Sequence, residues 1–133
     1  MKTIWILFFA SLLGTEAGAT KFSKALIYYI PFQVETYEPV TPENIKEKAK
    51  YTIESKDRHR ISQLLDLMSG GRKCEGFDNK RVRLLVLFEG GKPEIMVDAE
   101  GNVSEGKKLH VLSAREFEKL KKLLSELIKD DRK

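Results

Sequence analysis

The sequence predicts a single α+β domain: a mostly antiparallel sheet of about four or five strands, with two or three helices packed mainly on one face. Three observations predict it. The stretch Arg81 to Glu89 is apolar in both alternations, with Val82, Leu84, Val86 and Phe88 in one row and Leu85 and Leu87 in the other, as a strand covered on both sides requires. Two segments, Asp57 to Ser69 and Ser113 to Lys129, carry apolar residues at helical spacing behind capping residues. The remaining chain holds short alternating runs separated by Gly, Pro and Asn, the punctuation of an antiparallel meander.

The first residues have the pattern of a secretory signal. Lys2 precedes a run of apolar and small residues from Ile4 to Leu13, and Ala17-Gly18-Ala19 supplies an A-x-A cleavage site. Residues 1–19 are therefore expected to be removed and residues 20–133 to form the domain. An apolar run of about 10 residues is half of what a membrane-spanning helix needs, so no stable membrane insertion is expected after cleavage. The expected location is periplasmic or secreted, which makes nucleic acid a poor partner. Lys2 and Glu16 cancel, leaving the formal net charge of +4 on the remaining chain, an ordinary value for solubility. Cys74 is the single cysteine, so the fold must stand on its apolar core and not on disulfides. The odd thiol is left buried, free or paired to another molecule, and a homodimer stays open.

Taken in order, Leu26, Tyr28, Ile30, Phe32 and Val34 alternate along Ala25 to Tyr37, a first strand that Pro31 confines to an edge, a bulge or an interruption. Thr41-Pro42-Glu43 offers an N-cap, a proline at the first helical position and an acid in the first turn, starting a helix with Ile45 and Ala49 inward. Lys50 to Ser55 fits a short strand through Tyr51 and Ile53 or a continuing helix, and the alternation favours the strand. Asp57 caps the next helix, whose buried side is Ile61, Leu64, Leu65 and Met68, with Arg58, Arg60 and Asp66 toward solvent and Gly70-Gly71 as its stop. Gly70 to Lys80 is a charged connection. Gly90-Gly91 and Pro93 turn the chain into Glu94 to Asp98, Ala99 to Asn102 turns it again, and Val103 to Leu112 is one bulged strand or two. Ser113 and Glu116 have capping-box spacing, followed by the stripe Phe117, Leu120, Leu123, Leu124, Leu127 and Ile128.

No constellation spells out a reaction. His59 and His110 are isolated in sequence, and with one cysteine they do not make a zinc set. Arg72 and Lys73 would favour a Cys74 thiolate with either histidine as base, but no nucleophile signature surrounds it. Asp98, Glu100 and Asn102 alternate like calcium ligands, yet Val103 stands where that loop needs Gly and Leu109 where it needs a bidentate acid. Asn102-Val103-Ser104 is a glycosylation sequon by pattern alone. The expectation is a protein without catalytic residues, metal site or cofactor.

Two binding expectations remain. If the helices cover the row of Val82, then Ile27, Tyr29, Leu85 and Leu87 face the other way and need a cover of their own. A partner protein could be that cover, which makes the chain an exported protein-binding module, an inhibitor or immunity-type protein acting on an envelope or secreted enzyme. Its candidate surface is Ile27, Tyr29, Arg81, Arg83, Leu85 and Leu87, and its candidate loop holds Arg72, Lys73, Cys74 and Phe77. The chain itself could equally supply the cover, from Thr20 to Lys24, the first helix or the Gly70 to Lys80 loop. The second expectation is a small-ligand or cell-envelope glycan binder, with Tyr28, Tyr29 or Tyr37 stacking near Arg81 and Arg83.

Overall fold

The structure is a computed structural model that describes residues 22–91 and 93–132; the signal pattern of residues 1–19 lies outside the described residues. Its strands are β1 (Ala25–Tyr29), β2 (Tyr51–Ser55), β3 (Arg72–Lys73), β4 (Val82–Phe88), β5 (Glu94–Asp98), β6 (Asn102–Glu105) and β7 (Lys108–Val111). Its helices are α1 (Ile45–Lys48), α2 (Arg58–Ser69) and α3 (Ala114–Asp131). The strands form one seven-stranded sheet in the order β2-β1-β4-β5-β6-β7-β3, every neighbouring pair antiparallel. The α+β class is as predicted, with more strands than expected. Val103 to Leu112 divides into two strands at a tight turn where Gly106 takes φ 62°, and the Gly70 to Lys80 connection contributes the two-residue β3.

The interior strand β4 is buried along its length except at Leu87. Leu84, Val86 and Phe88 face α2 and α3, joined by Ile27, Ile53, Ile95, Val97 and Val103 from the neighbouring strands. The helices meet them with Ile61, Leu64 and Met68 of α2 and Leu120, Leu124 and Leu127 of α3. Each such aliphatic side chain taken out of water contributes about 1.5–3 kcal/mol. Both helix starts are held by side chains. Asp57 accepts from the His59 and Arg60 amides, and Ser113 and Glu116 bond each other's backbone N–H at 3.1 and 2.9 Å. Arg60 does not stand free in solvent as its helical position suggests. It reaches Glu126 and, at 3.5 Å, Asp130, tying α2 to α3.

The first strand ends at Tyr29, because the chain leaves the sheet at Pro31. Residues 30–49 then fold over the other face, where Ile30, Val40 and Ile45 bury Val82 and Leu85, except that Phe32 leaves the row expected for it and turns to the helix side against Phe117 of α3. The Ile30 amide donates to the Arg83 carbonyl at 2.8 Å, and the Val82 amide to the Val40 carbonyl at 2.9 Å. α1 begins at Ile45 with Asn44 in the N-cap position, three residues past the Thr41 predicted for it, and Thr41 and Asn44 exchange backbone-to-side-chain bonds of 2.8 and 3.3 Å in the turn before the helix. The Tyr51 to Ser55 segment is a strand, at the sheet's edge.

Candidate binding face

Strand register decides which side chains share a face, because a shift of one residue turns every side chain over. Tyr28 pairs with Leu85, Leu85 with Met96, Met96 with Ser104 and Ser104 with Leu109, a continuous row across five strands on the side away from α2 and α3. A second row runs Glu54, Leu26, Leu87 and Glu94. Residues 30–49 cover only part of this face. Leu85 is buried beneath them, whereas Leu26, Tyr28, Leu87, Met96 and Leu109 are each half-buried. The result is an apolar strip bordered by Glu54 and Glu94.

The same register corrects two members of the expected surface. Ile27 pairs with Val86 and Tyr29 with Leu84, so both belong to the helix-covered core and not to the opposite face. Tyr29 packs its ring against Phe32 and Tyr51, and burial, with a smaller contribution from Tyr51, pushes its hydroxyl up to about 12 against the opposing backbone hydrogen bond of Phe32. A bulge between Val82 and Leu84 breaks the alternation of β4 and turns Val82 out of the row predicted for it.

Arg83 beside that bulge is fully buried. Its Nε donates to the Val34 carbonyl at 3.2 Å and its Nη1 to the Val82 carbonyl at 3.1 Å, so it staples the covering segment to the sheet and is not offered to a ligand. Burial, and then the charge of Arg81, pull its guanidinium below the ordinary arginine value. Arg81 is engaged with Glu35 at 3.4 Å and Glu100 at 3.8 Å. Tyr37 is fully exposed on the covering segment, while Tyr28 lies beneath the Lys46 ammonium, 6.0 Å from its ring centre. The proposed tyrosine and arginine cluster is therefore not assembled. Leu85 and Leu87 do lie on the expected face.

In the candidate loop, Arg72 and Lys73 are exposed and paired with Val111 and His110, and Phe77 packs against the covered end of the second face. Cys74 is half-buried, its Sγ 3.4 Å from the Gly76 carbonyl and 4.0 Å from Asn102 Oδ1. Its sulfur thus addresses neither histidine. His110 Nε2 donates to the Met68 carbonyl at 2.6 Å, satisfying an end carbonyl of α2, and His59 sits about 13 Å away at that helix's other end. The buried Asp98 carboxylate accepts from the Asp78, Glu100 and Asn102 amides and from Asn102 Nδ2, each at 2.9 Å. That hub engages the Asp98 carboxylate, the first of the calcium-like positions, and also holds the sequon's asparagine amide, while the Glu100 carboxylate turns to Arg81. Among the described residues no group of three or more His, Cys, Asp or Glu is arranged to hold a metal, and no helix is long and apolar enough to cross a membrane.

Leu26, Met96 and Leu109 are members of the face that the sequence did not assign, and Tyr28, expected as a ligand-stacking ring, lies on it as well. Their signal is the parity of strand pairing, which a single chain does not display. No known protein family, characterised protein or solved structure matches this chain.

Proposed function

We propose that this protein is an exported binding module that docks a protein partner on the half-covered face of its sheet, in the manner of an inhibitor or immunity-type protein acting on an envelope or secreted enzyme. The observation that carries the reading is the strip of Leu26, Tyr28, Leu87, Met96 and Leu109, left half-buried where residues 30–49 stop covering the sheet. Aliphatic side chains rimmed by Glu54 and Glu94 suit the apolar centre and polar border of a protein interface. Covering them continues the burial that the fold begins, at about 25 cal/mol per Å² of apolar surface. The glycan reading has less to stand on, since Tyr29 and Arg83 are enclosed in the core. Export rests on the signal pattern of residues 1–19.

Site-specific photocrosslinking in the native cell tests this reading. A crosslinker at position 87 or 96 is expected to give one discrete protein adduct, and the same group at the exposed Lys129 of α3 none. Equal adducts from all three positions, or none from 87 and 96, would contradict the docking face. An adduct of twice the chain's own mass would identify the partner as a second copy and reject an enzyme target.

A further inference from the structure

Tyr37 stands apart from the other tyrosines. Tyr28 lies beneath the Lys46 ammonium, Tyr29 packs on Phe32 and Tyr51, and Tyr51 also has Lys50 and Arg132 over its ring. Tyr37 makes no ring contact among the described residues, and it is the one large apolar side chain among them that is fully exposed. A tyrosine on a slack loop escapes water by folding back on nearby apolar surface, but the backbone around Tyr37 is held on both sides. Thr36 Oγ1 donates to the Glu38 carbonyl at 2.7 Å, a bond that spans the tyrosine. Before it Glu35 meets Arg81 at 3.4 Å, and after it Glu38 meets Lys48 at 2.7 Å. Val40 then anchors the segment to the sheet, its amide donating to the Lys80 carbonyl at 3.0 Å and its carbonyl accepting from the Val82 amide at 2.9 Å. A cleft of about 370 Å³ lies open beside the ring, lined also by Thr36, Glu38, Val40 and Lys48.

The position of this loop links it to the docking strip. Val34 and Val40, on either side of Tyr37, pack into the same apolar cluster as Tyr28, Leu87 and Met96, so the loop and the strip belong to one side of the sheet. A ring with few rotatable bonds, held outward by its backbone, offers contact area at little cost in entropy, which is how aromatic anchors serve interfaces. The flanking charges define the recess it fits. Both neighbouring carboxylates are already paired with cations of this chain, so the collar of the ring brings no net charge and asks for none in return. We propose that Tyr37 is the aromatic anchor of the docking interface and enters an uncharged, apolar recess of the protein partner that covers the strip. The inference rests on the docking reading above and adds the shape and charge of the partner's site.

The probe is the photocrosslinker at position 87, its adduct quantified in the native cell while position 37 is varied. Tyr37→Ala is expected to reduce that adduct about tenfold or more and Tyr37→Phe by less than about threefold, with the unfolding midpoint unchanged in both. Thr36→Ala, which frees the turn, should reduce it by an intermediate factor. In lysed cells the effect of Tyr37→Ala should be equal at low and high salt, as an uncharged recess requires. A Tyr37→Ala chain that crosslinks as well as the parent would overturn the proposal, as would one with a lowered unfolding midpoint, which would make the ring part of the fold. Retention on a glycan matrix that Tyr37→Ala abolishes would also overturn it, by making the ring a sugar-stacking group. If positions 87 and 96 give no adduct while a crosslinker at the exposed Glu47 of α1 gives one that Tyr37→Ala abolishes, the strip is wrong and the anchor stands. An adduct from position 87 that survives Tyr37→Ala undiminished removes the anchor alone.

Discussion

Arg83 ties the covering segment to the sheet from a fully buried position beside the β4 bulge. Strict alternation along β4 gives it a surface position, and only the bulge between Val82 and Leu84 turns its guanidinium under residues 30–40, where it donates to the Val34 carbonyl while also donating to the carbonyl of Val82. Arg83→Ala is expected to lose about 2–4 kcal/mol in urea unfolding, through a cavity and two orphaned carbonyls. A change near zero would mean that the covering segment is held by other contacts. Tyr29 gives a pH signature of its face. Its unfolded value is 10.0 and its folded value about 12, so the fold favours the neutral phenol. That contribution is fully present below pH 10 and is lost as pH rises through about 12, a loss of about 2–3 kcal/mol. Unfolding midpoints at pH 9 and pH 11 should therefore converge in Tyr29→Phe and differ in the parent chain.

Elements specified by neighbouring residues were the legible ones. The Ser113–Glu116 box and the Asp57 cap act over three residues or fewer, and both form as the sequence predicts. Ser113→Ala should cost about 1 kcal/mol of thermal stability, and an unchanged melting temperature would show that tertiary packing alone sets the start of α3. Glu116 shares this restraint: the hydrogen bond from the Ser113 amide holds its carboxyl below the usual value, a stabilising contribution that fades as pH falls through that lowered value. By contrast, β3 exists only through its pairing with His110 and Val111, far along the chain, and Arg72-Lys73 has no strand pattern of its own. The placement of Ile27 and Tyr29 was likewise set by register, which no local pattern displays.

Across the whole molecule, the two-sided apolar character of Arg81 to Glu89 correctly required covers on both faces. One cover is α2 with α3; the other is the chain's own residues 30–49 with Phe77, and it is incomplete. The incompleteness was not visible in the sequence, because it depends on how far a segment broken at Pro31 extends across the sheet. Leu85 and Leu87, alike in sequence, mark the boundary between the covered core and the half-buried strip proposed for docking. The most direct measurement compares Leu85→Asp with Leu87→Asp, recording the unfolding midpoint and the affinity for the protein crosslinked from position 87. A docking strip predicts that Leu85→Asp unfolds, while Leu87→Asp keeps its fold and binds its partner about 30-fold or more weakly. A folded Leu87→Asp that binds as tightly as the parent chain would contradict it.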